Sequence, residues 1–258
     1  MTFAVAAEEY DRFVGRYSGE LGSALASAAG VLPGMRALDV GCGPGALTRV
    51  LADRLGPENV AAVDPSEPFL EAVAARLPGV DVRLARAEEL PFEDGAFDAA
   101  LAQLVVNFMA DPHAGVAEMR RVVRPGGTVA ACVWDYAEEM TLLRAFWEAA
   151  AALEPERVEG RDERTAMRFD DEGELAGLWR EAGLGDVEEG RLVVSAGYES
   201  FEDLWAPLES GVGPAGAYTA SLDAERRRAL AAELRRRLGE PEGPFRLSAR
   251  AWYTAGTA

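Results

Sequence analysis

The chain has no lysine and no isoleucine, and all 26 of its basic residues are arginine. Without lysine there is neither a Walker-type phosphate clamp nor a Schiff base, which removes P-loop nucleotide hydrolysis and pyridoxal chemistry. Positive charge is also scarce: 44 acidic residues leave a formal net charge of −18 at pH 7. Polyphosphate surfaces call for concentrated cations, so nucleic acid and anionic membranes are unsuitable partners and a small, non-polyanionic substrate is expected. Histidine occurs once, as His113, and cysteine twice, as Cys42 and Cys132. No apolar run is long enough to span a bilayer; residues 98–110 are interrupted by Gln103 and Asn107. The opening MTFAVAAEEYDRF has no early basic residue and no adequate apolar segment, so no signal peptide is read there and a cytoplasmic protein is expected. With 258 residues, 49% of them hydrophobic, the chain can bury one large core, and a single domain with an insertion is the expected organisation.

What the sequence does contain is organised around residues 36–48, RALDVGCGPGALT. A short apolar strand (Ala37, Leu38, Val40) runs through Gly41, Gly43 and Gly45 into a helix beginning near Ala46. Glycine tolerates positive φ and has no side chain to hold a ligand off, so backbone amides are expected to reach a bound group. Asp39, two residues before the first glycine, would repel a pyrophosphate and attract an ammonium or sulfonium. The same residues, 41–46, also satisfy the dinucleotide pattern G-x-G-x-x-G/A, which keeps a nicotinamide or flavin protein open. After a short buried strand over 60–63 come Asp64 and Pro65. An acidic residue there can accept hydrogen bonds from ribose hydroxyls under either reading; the plain alternative is a cap for the helix starting near Glu67, a task Ser66 could share.

DVGCGPG resembles the first motif of the class I S-adenosylmethionine-dependent methyltransferases. Residues 85–108, ARAEELPFEDGAFDAALAQLVVNF, closely resemble that family's path from the third strand into the fourth, and RRVVRPGG before an apolar strand is a further specific likeness. The resemblance is strong over about residues 10–133 and loose beyond. It implies an α/β fold: a Rossmann-like seven-stranded sheet with helices on both faces and an antiparallel finish. The implied parts are an N-terminal helical cover (1–34), a cofactor core (35–136), a substrate cap (137–169 and 198–220), and a remainder of the core (170–197 and 221–258).

The resemblance also implies S-adenosylmethionine as cofactor, S-adenosylhomocysteine as product, and in-line methyl transfer to an O, N or C atom of an unidentified small molecule. Asp39, Gly41, Gly43, Asp64 and Pro65 would hold the cofactor, with the backbone at Ala87 and the Glu88 side chain at the adenine. The position before Ala87 is often Asp in relatives and is Arg86 here. The Gln103 carbonyl would meet the amino group. In the leader, the Arg16 fork would suit the methionine carboxylate, and Tyr10 or Tyr17 would add a hydroxyl. Other classes that stay open are an NAD(P)-dependent oxidoreductase and a non-catalytic S-adenosylmethionine-binding protein.

Hydrophobic spacing predicts helices over 46–55, 67–76, 112–123, 141–153 and 221–238, strands over 80–85, 97–104, 128–133, 187–195 and 244–254, and a helical leader over 4–30 broken around 15–19. Residues 154–168 read as a connection. Residues 198–217 read as an aromatic, glycine-rich stretch, of which GVGPAGAY, 211–218, could form one wall of the acceptor site, and Trp134, Asp135 and Tyr136 stand at the end of the fifth strand facing the transfer site. Asp171 and Glu174 read as a capping box for the next helix rather than, with Asp170 and Glu172, a metal site. His113 is the one weak candidate for a general base, set against a solvated first-turn residue. In the family's strand order another strand would hold Cys42 and Cys132 about 10 Å apart, beyond the roughly 7 Å a disulfide spans, so both are expected as free thiols. The arginine runs 226–228 and 235–237 share their helix with Glu225 and Glu233 and read as a solvated face.

Overall fold

The runs ALDV and VAAVD show no polar alternation, the signature of strands covered on both faces, and every residue in them is buried. In a computed structural model, which describes residues 14–136, 138–158, 160–162, 167–169, 171–211 and 213–258, they are the inner strands of a seven-stranded sheet. The strands are β1 (Ala37–Val40), β2 (Val60–Asp64), β3 (Asp81–Leu84), β4 (Phe97–Gln103), β5 (Val123–Trp134), β6 (Gly185–Tyr198) and β7 (Phe245–Thr257), in the order β3-β2-β1-β4-β5-β7-β6. Strands β1 to β5 pair in parallel, with Asp39 opposite Ala62 on one side and Leu101 on the other. β7 runs antiparallel to β5, as the family resemblance implied.

The helices are α1 (Ser18–Ala28), α2 (Ala46–Leu55), α3 (Glu67–Arg76), α4 (Pro112–Val122), α5 (Thr141–Leu153), α6 (Pro155–Val158), α7 (Glu174–Glu181), α8 (Phe201–Glu209), α9 (Gly213–Ala220) and α10 (Ala224–Arg237). Successive strand residues point to opposite faces, and the two faces carry different helices. Leu38, Val40, Ala61 and Val63 share a core with Met119 of α4 and Trp179 of α7. Ala62 turns the other way, onto Leu70 and Val73 of α3, and Asp39 meets Thr48 of α2.

By its contacts the chain divides into two compact units, 18–134 with 169–192 and 251–258, and 1–17 with 135–168 and 193–250. The first holds β1 to β5 and the helices just named. In the second, α5 and α10 pack together, and Phe146 and Trp147 of α5 meet Tyr218 of α9 edge-on or tilted, with ring centroids 6.2 and 5.5 Å away.

Four expectations change. The stretch 198–217 is mainly helical: Ser200 Oγ accepts the Asp203 N–H at the start of α8, whose Leu204, Trp205 and Leu208 are buried, and Tyr218 lies in the core of its unit rather than in a loop wall. β5 begins at Val123 instead of after the Pro-Gly-Gly turn. Val123 already pairs with Phe97 and Thr128 with Ala99, so residues 124–127 bulge out of the ladder. α7 starts from Gly173 at φ 88° with no side-chain cap, so the Asp171–Glu174 capping box does not form; Asp170 lies outside the described residues. Finally, α6 interrupts the expected connection over 154–168.

Candidate functional site

The chain leaves β1 toward β2 on one side, and β4 lies on the other. This is a topological switch point, where the carboxyl ends of adjacent strands part and ligands of open α/β sheets bind. The glycine loop follows β1 at that place. Gly41, Gly43 and Gly45 have φ of 72°, 51° and 94°, a region that L side chains seldom adopt. A Cβ on Gly41 would stand 2.5 Å from Val105 Cγ1, and one on Gly45 2.9 Å from Val73 Cγ2, whereas one on Gly43 would meet no atom within 4 Å.

The loop's amides are spoken for. Gly41 and Cys42 donate to the Val63 carbonyl at 2.8 and 2.9 Å, Gly45 to the Cys42 carbonyl at 2.9 Å, and Gly43 to Asp64 Oδ2 at 2.9 Å. Proline at 44 has no N–H. The expectation that these amides reach a ligand is therefore corrected: they tie the loop to β2, and they form no nest for a pyrophosphate.

Asp39 is 1% exposed. Its Oδ2 accepts the Thr48 hydroxyl at 2.6 Å, while Oδ1 has no hydrogen-bond partner among the described residues. Burial pushes its carboxyl up to about 7, the Thr48 hydroxyl pulls against that, and the charge of Asp64 adds to it. Asp64 is also raised, chiefly by burial, although it accepts the Gly43 and Ser66 N–H groups, the latter at 2.8 Å. It thus fastens the glycine loop and the start of α3, and each oxygen keeps a lone pair for a further donor.

At the end of β4, Gln103 Nε2 donates to the Ser18 carbonyl at 3.0 Å, and its buried Oε1 has no partner among the described residues. The next residue, Leu104, has φ 61°, a left-handed conformation uncommon for leucine. Val105 then lies against Gly41. After β3, the Ala87 methyl is buried beside Gly115. Glu88 Oε1 accepts the N–H groups of Ala110 and Asp111 at 2.8 and 3.2 Å. Partial burial raises the Glu88 carboxyl, and backbone donors outweigh that and hold it below the usual range.

Residues 38–131 match the family described as "Methyltransferase domain". The chain is 41% identical over 109 residues to an uncharacterised 37.1 kDa protein of a Streptomyces fradiae transposon, and 35% identical over 139 residues to an uncharacterised methyltransferase of Mycobacterium tuberculosis. These matches take in 41% and 54% of this chain, and 32% and 54% of the respective relatives, so the chain spans between a third and about half of their length. Among solved structures, a candidate Type II methyltransferase of Anaeromyxobacter dehalogenans superposes with a TM-score of 0.66 at 26% identity, covering 93% of this chain and 96% of its own. Residues 38–131 thus resemble a methyltransferase domain, carried on a fold like that of a solved methyltransferase.

Within this matched stretch the structure gathers Asp39, Gly41, Gly43, Asp64, Ala87, Glu88 and Gln103 around the carboxyl ends of β1 to β4, and Pro65 is exposed just past β2. His113 is not drawn into this cluster of bonds. It is 62% exposed on the first turn of α4, with Nε2 2.8 Å from Glu181 Oε2 of α7. That is the solvated first-turn position set beside the general-base reading. Thr48 went unread as a site residue, because a threonine in the first turn of an apolar helix looks like filler. Leu104 carries no sequence signal at all.

The remaining expectations fall in the second unit. The carboxylate that meets the Arg16 fork is that of Asp203, with Nη1 2.9 Å from Oδ2, and the guanidinium also reaches the Gly197 carbonyl. Tyr17 is buried, its hydroxyl 3.3 Å from that of Tyr198. Tyr10 lies outside the described residues. Asp135 is enclosed rather than facing an open site: its Oδ2 accepts from Arg250 Nε at 2.7 Å.

Proposed function

We propose that the protein transfers the methyl group of S-adenosylmethionine to an O, N or C atom of a small molecule. The observation that carries this reading is the enclosed Asp39 carboxylate, with one oxygen bare and no cation beside it among the described residues, under a glycine loop whose amides are all engaged. Such a site suits a ligand that brings positive charge and repels one that brings phosphate.

Asp39 Oδ1 would receive the ligand's ammonium, together with the Gln103 carbonyl. Asp64 would accept from the ribose hydroxyls through its remaining lone pairs, and the backbone at Ala87 with Glu88 would border the adenine. Gly43, where an added methyl would touch nothing of the protein, keeps the approach to the loop clear. The cofactor, when bound, supplies a methyl group already activated by its sulfonium. The chain's own part is to fix that donor in line with the acceptor and to exclude water, which can supply much of the acceleration. The acceptor is small and not polyanionic, in keeping with the net charge, and a cytoplasmic location belongs to the same reading.

Calorimetry with S-adenosylmethionine, S-adenosylhomocysteine and NADH tests it. The two sulfur nucleosides bind and NADH does not; NADH uptake with no response to the nucleosides would overturn the proposal. Release of S-adenosylhomocysteine across an acceptor panel then separates an enzyme from a protein that only binds.

A further inference from the structure

Among the described carboxyls Asp39 is unusual in being wholly enclosed with only neutral donors: Thr48 Oγ1 at 2.6 Å from Oδ2, a lesser contribution from the Thr48 backbone N–H, and no hydrogen-bond partner on Oδ1 among the described residues. Thr48 is itself 0% exposed, its hydroxyl donating to Asp39 Oδ2 at 2.6 Å and lying beside the Cys42 thiol. Among the described residues, the groups around the pair bring no compensating cation. β2 contributes Asp64, a second carboxyl, and the loop contributes the Cys42 thiol. β4 contributes the uncharged Leu101 beside Asp39, with Gln103 beyond it. On α2, Arg49 is exposed, as is Glu20 on α1. Among the described residues neither Asp39 nor Asp64 enters an ion pair.

Resting on the methyl-donor reading above, we propose that Thr48 is a positioning residue of this site: by occupying Asp39 Oδ2 it turns Oδ1 toward the ligand's ammonium, and it sets the ease with which Asp39 gives up a proton when that cation arrives. The proton leaves to solvent and the ligand keeps its own three, so binding exchanges a neutral carboxylic acid for a carboxylate–ammonium pair and releases one proton. An isolated anion in this enclosure is disfavoured by desolvation, and an adjacent cation reverses the balance. The position of the free carboxyl, pushed up to about 7 by burial, places the exchange within an accessible pH range.

S-adenosylhomocysteine is the probe, because it carries the ammonium without the sulfonium. In wild-type protein its affinity should rise about 20-fold between roughly pH 5.5 and 7.5, before the ligand's own amino group begins to lose its charge near 8. At about pH 6.5, binding enthalpies in buffers of different ionisation enthalpy should report about three quarters of a proton released. Thr48→Val should move the pH midpoint up by about one unit, so that affinity drops roughly tenfold at pH 6.5 and recovers toward pH 8, while Thr48→Ser keeps the wild-type profile. A merely structural role would lower affinity by the same factor at every pH. Affinity independent of pH with no proton released, or a Thr48→Val profile parallel to wild type, overturns the inference and leaves the methyl-donor reading intact. Failure to bind the probe at any pH refutes that reading instead. Should Thr48→Val not fold, Thr48→Ala and the wild-type proton count decide.

Discussion

Single residues make the sharpest tests, because the glycines of the loop are required for different reasons. Alanine at 41 meets both the positive φ and Val105 at 2.5 Å, so Gly41→Ala should cost about 3 kcal/mol in urea unfolding. Alanine at 43 meets only the φ penalty. Gly43→Ala should cost about 1 kcal/mol of stability yet weaken S-adenosylmethionine binding more than tenfold, a split visible when calorimetry is run beside the urea titration. Asp39 ties the site to pH. Its folded-state value lies above that of an exposed carboxyl, so its contribution to stability is complete below about pH 4 and is lost as pH rises through about 7. A cationic ligand opposes that loss, and the rise in Tm on adding S-adenosylmethionine should grow from about pH 5.5 to 7.5. Asp39, Gly41, Gly43 and Asp64 were legible because motif spacing places them at strand ends. Partners far off in sequence were not: nothing local to Arg16 announces Asp203, or to His113 announces Glu181.

Elements were legible where stop signals bound them. Residues 46–55 and 67–76 form the predicted helices to the residue; Gly56-Pro57 ends the first, and Ser66 with a proline in the first turn opens the second. α8 and α9 were hidden because Pro207 sits inside one and glycines pepper the other. Two elements depend on single buried side chains. Trp179 of α7 donates from Nε1 to the Val129 carbonyl of β5 at 2.8 Å and is fully enclosed; Trp179→Phe should lower stability by about 2 kcal/mol by chemical denaturation. Arg250 near the middle of β7 reaches Asp135, Glu138 and Glu139 with almost no exposure. Removing the cation strands a buried carboxylate, so Arg250→Met should cost about 3 kcal/mol, and adding Asp135→Asn should restore part of it.

For the whole molecule, the dominant quantity is a net charge of −18. The arginines of α10 do not relieve it locally as a basic patch, since Arg236 and Arg237 are held by Glu233, and Arg237 by Glu148 as well. Self-repulsion of this size is screened by salt, and thermal melts should shift upward as sodium chloride is raised, while a DNA-cellulose column should retain nothing. The two thiols, free as the strand order foretold and also buried, add a consequence for how the protein is watched at work. Cys132 lies near the carboxyl end of β5, between Gln103 of β4 and Tyr253 of β7, with its thiol pushed up to about 12, and Cys42 lies in the glycine loop, pushed well up by burial and by Asp39 and Asp64. Neither thiol can react with Ellman's reagent until its surroundings open, so the native chain carries two clocks, one timing the loosening of the loop and the other the parting of β5 from β4 and β7 at that end of the sheet.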